Sequence, residues 1–181
     1  MTPAEATPDS AIPIDEPLEA RIALAVERYG NENVASMAVG LLEGRDEGED
    51  ILLYLGGRHA QGILDGAPAL YWPEVWGARA FSYLWDESAT SAVLTGLGNR
   101  AWRVREMCAK VCATRGIGGP ETLSTLLTDE VARVRSAAAR ALAEVGHAEH
   151  VEQLRALLRD PDKDVRRSAQ QSMDRLAARL A

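Results

Sequence analysis

Val134-Arg135-Ser136-Ala137-Ala138-Ala139-Arg140-Ala141-Leu142 recurs upstream as Val104-Arg105-Glu106-Met107-Cys108-Ala109-Lys110-Val111-Cys112. It recurs downstream as Val165-Arg166-Arg167-Ser168-Ala169-Gln170-Gln171-Ser172-Met173, at spacings of 30 and 31 residues. In each copy a small residue stands four positions after the valine: Cys108, Ala138 and Ala169. An apolar or sulfur-bearing residue stands eight after it: Cys112, Leu142 and Met173. Positions i, i+4 and i+8 share one face of an α-helix, so each copy reads as a helix with a narrow buried side. A worn fourth copy begins at Trp76, with Trp76, Ala80 and Leu84 in the same slots. A second helical segment precedes each clear copy. These segments carry Val93, Leu94 and Leu97, then Leu123, Leu126 and Leu127, then Leu154, Leu157 and Leu158. One such hairpin cannot bury its own apolar faces, so neighbours must stack into a solenoid.

A charged pattern accompanies the apolar one. An Asp or Asn lies six residues before each repeated arginine: Asn99 and Arg105, Asp129 and Arg135, Asp160 and Arg166. The acid falls in the turn between two helices and the arginine on the first turn of the second. A carboxylate there can accept helix-start N–H groups and also a guanidinium. The expectation is a structural ladder in which each arginine pairs with the acid of its own hairpin. The worn copy departs from it, with Tyr71 and Gly77 in the two slots.

These features together resemble the HEAT repeat, in the short form found in bilin-lyase-like bacterial proteins. The resemblance is clear from Glu87 to Ala178 and fainter back to Gly48. It implies an all-α fold, an α-α superhelix of about four helical hairpins. Residues 18–44 read as an N-terminal helical cap, residues 48–181 as the repeats, and 18–181 as a single domain. Residues 1–17 hold Pro3, Pro8, Pro13 and Pro17 among small and acidic residues, a composition that reads as a disordered tail. Within the repeats the chain reads as helical from Trp72 to Trp85 and from Glu87 to Leu97. HEAT solenoids mostly serve as binding surfaces, so the resemblance speaks to fold more than to function.

The 181 residues carry 27 acidic and 20 basic side chains, a net charge of −7. The charge is uneven. Residues 1–98 hold 5 basic and 16 acidic side chains, a net of −11, and residues 99–181 hold 15 and 11, a net of +4. Arginine supplies all but two of the cations, Lys110 and Lys163. The acidic total disfavours nucleic acid as a partner, since such proteins depend on neutralising phosphates. No apolar run reaches the roughly 20 residues a membrane span needs. With only Cys108 and Cys112 and no signal-peptide pattern, a cytoplasmic protein is expected.

Catalytic constellations are scarce. Cys108 and Cys112 occupy the small and apolar slots of the repeat, which points to burial. His147 and His150 lie in a turn with Glu149 and Glu152, but no further Cys or His pair completes a tetrahedral zinc set. Gly116-Ile117-Gly118-Gly119 lacks the Lys-Ser/Thr of a phosphate loop. No enzyme activity, cofactor or metal is expected.

Six of the nine aromatic residues fall between Tyr71 and Trp85. Trp72, Trp76, Ala80, Tyr83 and Leu84 share the face that carries the core slots. Phe81 and Trp85 lie four apart on another face. Corresponding positions in later repeats are Trp102, Glu106 and Lys110; Arg133, Ser136 and Arg140; and Lys163, Arg167, Gln170 and Asp174. This stripe starts aromatic and becomes basic, and aromatic residues and arginine are the types enriched in binding hot spots. The expected partner-binding residues are Phe81, Trp85, Trp102, Lys110, Arg133, Arg140 and Arg167. The partner is expected to be another protein, through an acidic segment. Two alternatives stand beside that reading. Trp85-Asp86 and Trp102-Arg103 invite comparison with the HEAT-like alkylpurine DNA glycosylases, although Asp86 also reads as a helix cap. The repeat subtype alone suggests a bilin-lyase subunit or chaperone.

Overall fold

A computed structural model describes residues 11–181. Among the described residues eleven α-helices run in order: α1 (Leu18–Tyr29), α2 (Asn31–Leu42), α3 (Glu49–Gly56), α4 (Arg58–Leu64), α5 (Trp72–Ala80), α6 (Thr90–Gly96), α7 (Trp102–Arg115), α8 (Pro120–Thr125), α9 (Ala132–Val145), α10 (His150–Ala156) and α11 (Lys163–Leu180). No strand occurs among the described residues. Helices α2, α5, α7, α9 and α11 pack side by side in that order. Helices α6, α8 and α10 each pack against the helix that follows. This is an α-α solenoid, and the three quoted copies are the helices α7, α9 and α11 of its row.

The small-residue slots explain how the row closes up. Cys108, Ala138 and Ala169 are all fully buried, as are Val104, Val134 and Val165 that begin each copy. Short side chains let one helix axis lie close to the next, and the leucines of α8 and α10 fill the space behind. Gly77 takes this to its limit. A Cβ at that position would sit 2.4 Å from the Ala38 carbonyl oxygen and 2.7 Å from the Leu42 nitrogen. The missing arginine of the worn copy is therefore a backbone-to-backbone contact between α5 and α2.

Two sequence expectations are corrected. Residues 11–17 of the expected disordered tail are placed: Ile12 packs against the core, Asp15 pairs with Arg58, and the Glu16 carbonyl accepts from Arg21 Nε at 2.9 Å. Arg21 itself is buried and donates Nη1 to the Leu53 and Tyr54 carbonyls at 3.0 and 2.5 Å, capping the end of α3. A buried guanidinium needs acceptors, and the tail supplies one of them. The rest of that expected tail, residues 1–10, lies outside the described residues.

The second correction concerns the helix expected over Trp72–Trp85. It ends at Ala80, and the Phe81, Ser82 and Tyr83 amides turn back to the carbonyls of residues 78–80. The stop is imposed from outside. Arg115, on the end of α7, donates Nε to the Phe81 carbonyl at 2.8 Å and Nη2 to the Leu84 carbonyl at 3.1 Å. Trp76, Ala80 and Leu84 reach the core as read, whereas Tyr83 falls beyond the helix end and is 49% exposed.

Candidate binding groove across the later repeats

The charged ladder exists, displaced by one repeat from the sequence reading. Arg105 donates Nη1 to the carbonyls of Asn99 and Arg100, in its own hairpin turn, at 2.9 and 3.1 Å. Its Nε and Nη2 reach forward to both carboxylate oxygens of Asp129, in the next hairpin, at 2.8 and 3.1 Å. Arg135 repeats the posture. Its Nη1 bonds the carbonyls of Asp129 and Glu130, and its Nε and Nη2 clasp Asp160 at 2.7 and 2.8 Å. The acids therefore serve the arginine before them, not the one six residues after. Each also holds its own turn, accepting the amide two residues on: Ala101 to Asn99, Val131 to Asp129 and Asp162 to Asp160. Arg166, in the last copy, keeps the two backbone bonds to Asp160 and Pro161 and meets no carboxylate among the described residues.

With those arginines committed, a different set faces a groove of about 340 Å³ across α7, α9 and α11. Lys110, Arg133, Arg140 and Arg167 all line it, so four of the expected binding residues come together. The groove also holds Glu106, which is only 5% exposed. A buried carboxylate demands cations. Lys110 Nζ stands 2.7 Å and Arg133 Nε 3.1 Å from its Oε1. Arg140 donates to the hydroxyl of buried Ser168 at 2.9 Å. Arg167 lies 3.3 Å from Asp164 on an exposed turn, a pair worth little in water.

The aromatic end of the expected stripe does not join this groove. Phe81 has no exposed surface and lies edge-on to Trp85, with ring centres 5.9 Å apart. It cannot touch a partner in the folded chain. Trp85 is half-buried, its indole N–H donates to Glu87 at 2.9 Å, and the Arg115 guanidinium lies 5.4 Å from its ring centre. Asn31 of the cap donates to the Trp85 carbonyl. Trp102 is the expected aromatic that reaches the basic residues: Arg133 lies 5.7 Å and Arg103 4.2 Å from its ring centre. Arg103 was not among the expected residues, although its place beside Trp102 was visible in the sequence. Its Nη1 donates to the Tyr71 hydroxyl at 2.8 Å.

The remaining chemistry-bearing side chains have structural surroundings. Cys108 and Cys112 are unpaired and buried. Burial pushes the Cys108 thiol far above its ordinary range, and that of Cys112 up to about 12. Neither offers a thiolate near neutrality. His150 is buried, and its Nδ1 accepts the His147 amide at 3.0 Å, closing that turn. His59 is exposed and edge-on to Trp72 and Trp76. No group of three or more His, Cys, Asp or Glu among the described residues is placed to hold a metal ion. Asp86 takes the capping role, accepting the Ser88 amide at 2.9 Å.

Residues 90–174 match the family model for HEAT repeats. Over that stretch the chain is similar to HEAT repeats. The matched span takes in α6 to α10 and most of α11, the part of the chain that carries both ladder and groove. The crystal structure of an engineered protein, solved by a structural genomics consortium, is similar in fold over most of this chain. Its TM-score is 0.60 at 20% identity, over 93% of this chain and 87% of that one. That likeness is one of fold. No curated protein matches the sequence. No helix among the described residues is long and apolar enough to cross a membrane.

Proposed function

We propose that the chain is a cytoplasmic, non-enzymatic module that binds another protein through the groove across α7, α9 and α11. HEAT repeats generally mediate protein–protein interaction, and this array carries a groove with cations held in place by its own fold. The observation that supports the reading best is the convergence of Lys110, Arg133, Arg140 and Arg167 from three successive repeats. Arg105 and Arg135 are committed to Asp129 and Asp160, so these four are the cations that face the groove, and Arg140 among them has no carboxylate partner among the described residues. Their sign favours an acidic segment of the partner. Glu106, Asp162 and Asp164 make the same lining mixed in sign, which suits a short segment with spaced carboxylates better than a continuous phosphate backbone.

The test is a labelled peptide of about 12 residues alternating glutamate and serine, long enough when extended to span roughly 40 Å. Fluorescence anisotropy at low salt should show binding that weakens as salt is raised and falls several-fold in Arg140→Glu. A peptide that does not bind the wild-type chain at all would defeat the proposal.

A further inference from the structure

The groove does not end at Arg133. Arg133 faces one side of the Trp102 ring system, and the Arg103 guanidinium lies against the same residue at 4.2 Å from its ring centre. Arg103 continues to Tyr71 through its hydroxyl and lies 5.4 Å from the Trp72 ring. Tyr71 and Trp72 stand next to Leu70, which is 72% exposed and has a φ of +50°. A leucine in the left-handed region is unfavourable, and an apolar side chain so open to water gains nothing from folding. Contacts thus run from Tyr71 and Trp72 through Arg103 and Trp102 to Arg133 in the basic groove, and the exposed Leu70 adjoins Tyr71 in the chain at the far end of that run. Arg103 and Arg140 have no carboxylate partner among the described residues.

We infer that this surface binds an acidic segment that carries one aliphatic or aromatic side chain at one end, seated against Leu70 and Tyr71, with its carboxylates running along Arg103, Arg133 and Arg140. This rests on the groove reading above and adds an anchor and a polarity to it. The charges choose the occupant. Two cations without acids, one of them beside the aromatic residues and one in the groove, call for carboxylates spaced along an extended chain. The rings do not suit a single-stranded nucleic acid. Base stacking needs open ring faces. The Trp102 ring already carries Arg103, and Trp72 stacks on Trp76 with centres 6.5 Å apart.

The experiment compares the alternating Glu/Ser peptide with two versions that carry a leucine at the first or the last position, and with an oligothymidylate of equal length. One leucine-bearing peptide should bind about tenfold tighter than the plain one, the gain expected from burying an aliphatic side chain. Leu70→Asn, which suits a positive φ, should abolish that gain and leave the plain peptide's affinity unchanged. If all three peptides bind alike, the anchor is overturned while the groove reading stands. If none binds, the groove reading falls and takes the anchor with it. Tighter binding of the oligothymidylate than of any peptide would assign the surface to nucleic acid and overturn the inference.

Discussion

Arg135 clasps both carboxylate oxygens of Asp160, 25 residues ahead in the chain, while its remaining Nη1 holds the Asp129 carbonyl in its own turn. One guanidinium thereby ties two hairpins together, and Arg105 does the same with Asp129. This arrangement accounts for Asn99 at the head of the ladder. The preceding repeat has Gly77 in the arginine slot, so an aspartate at 99 would be a carboxylate without a guanidinium; the amide oxygen suffices to accept the Ala101 N–H. At the other end, Arg166 has no forward acid among the described residues and is exposed.

Arg135→Ala and Arg166→Ala should therefore differ sharply. The first strands Asp160, a residue 9% exposed, and should cost about 3 kcal/mol of stability. The second loses only backbone bonds at an exposed site and should cost about 1 kcal/mol. Urea unfolding of the two variants measures this, and equal losses would mean the forward carboxylate bond contributes nothing.

The same carboxylates should make stability sensitive to acid. Bonding to Arg135 holds the Asp160 carboxyl below its ordinary range, against the opposing effect of burial. For Asp129, burial pulls upward, and the Arg105 bonds, the Val131 N–H and the charges of Arg105 and Arg135 overcome it, leaving a net depression. A depressed folded pKa adds stability that is complete above the unfolded value of about 3.9 and is lost as pH falls through the folded one. The urea midpoint should thus fall steeply below about pH 4. In a variant with Asp129→Asn and Asp160→Asn the midpoint should be lower at neutral pH and should fall less on acidification. An unchanged pH slope in that variant would refute the ladder as its source.

Gly77→Ala should cost about 2 kcal/mol, because the atoms its Cβ meets are the backbone of α2 and cannot step aside like a flexible side chain. Thermal unfolding gives the cost directly. A neutral outcome would show that α5 and α2 are farther apart than described.

The two cysteines should resist labelling. With thiols raised by burial, Cys108 and Cys112 should react with a thiol reagent at pH 8 only as fast as the chain opens, and rapidly in denaturant. Immediate labelling of the native protein would contradict their burial.

Phe81→Ala and Arg140→Glu should separate packing from binding. Phe81→Ala removes a fully buried ring and should destabilise by about 4 kcal/mol with no change in peptide affinity for the chain that remains folded. Arg140→Glu gives up one bond to Ser168, should cost about 1 kcal/mol, and should weaken peptide binding several-fold. The reverse assignment would return Phe81 to the surface.

The sequence alone determined the repeat, its helical period, the small residues where helices meet, and the basic residues that line the groove. All of these follow from spacing along one helix, which the backbone geometry settles locally. The tertiary structure decided the partners. Arg135 finds the Asp160 carboxylate and not that of Asp129 because a long side chain on a first helical turn spans to the neighbouring hairpin, while both Asp129 carboxylate oxygens are already held by Arg105. Phe81 is buried because α5 stops at Ala80, and it stops under a guanidinium supplied 34 residues later. The aromatic residues beside the basic groove are instead Trp102 and Tyr71, which Arg103 joins. Where a helix ends, and which charge a side chain meets, depends on neighbours that stacking brings close, and a one-dimensional period does not contain that distance.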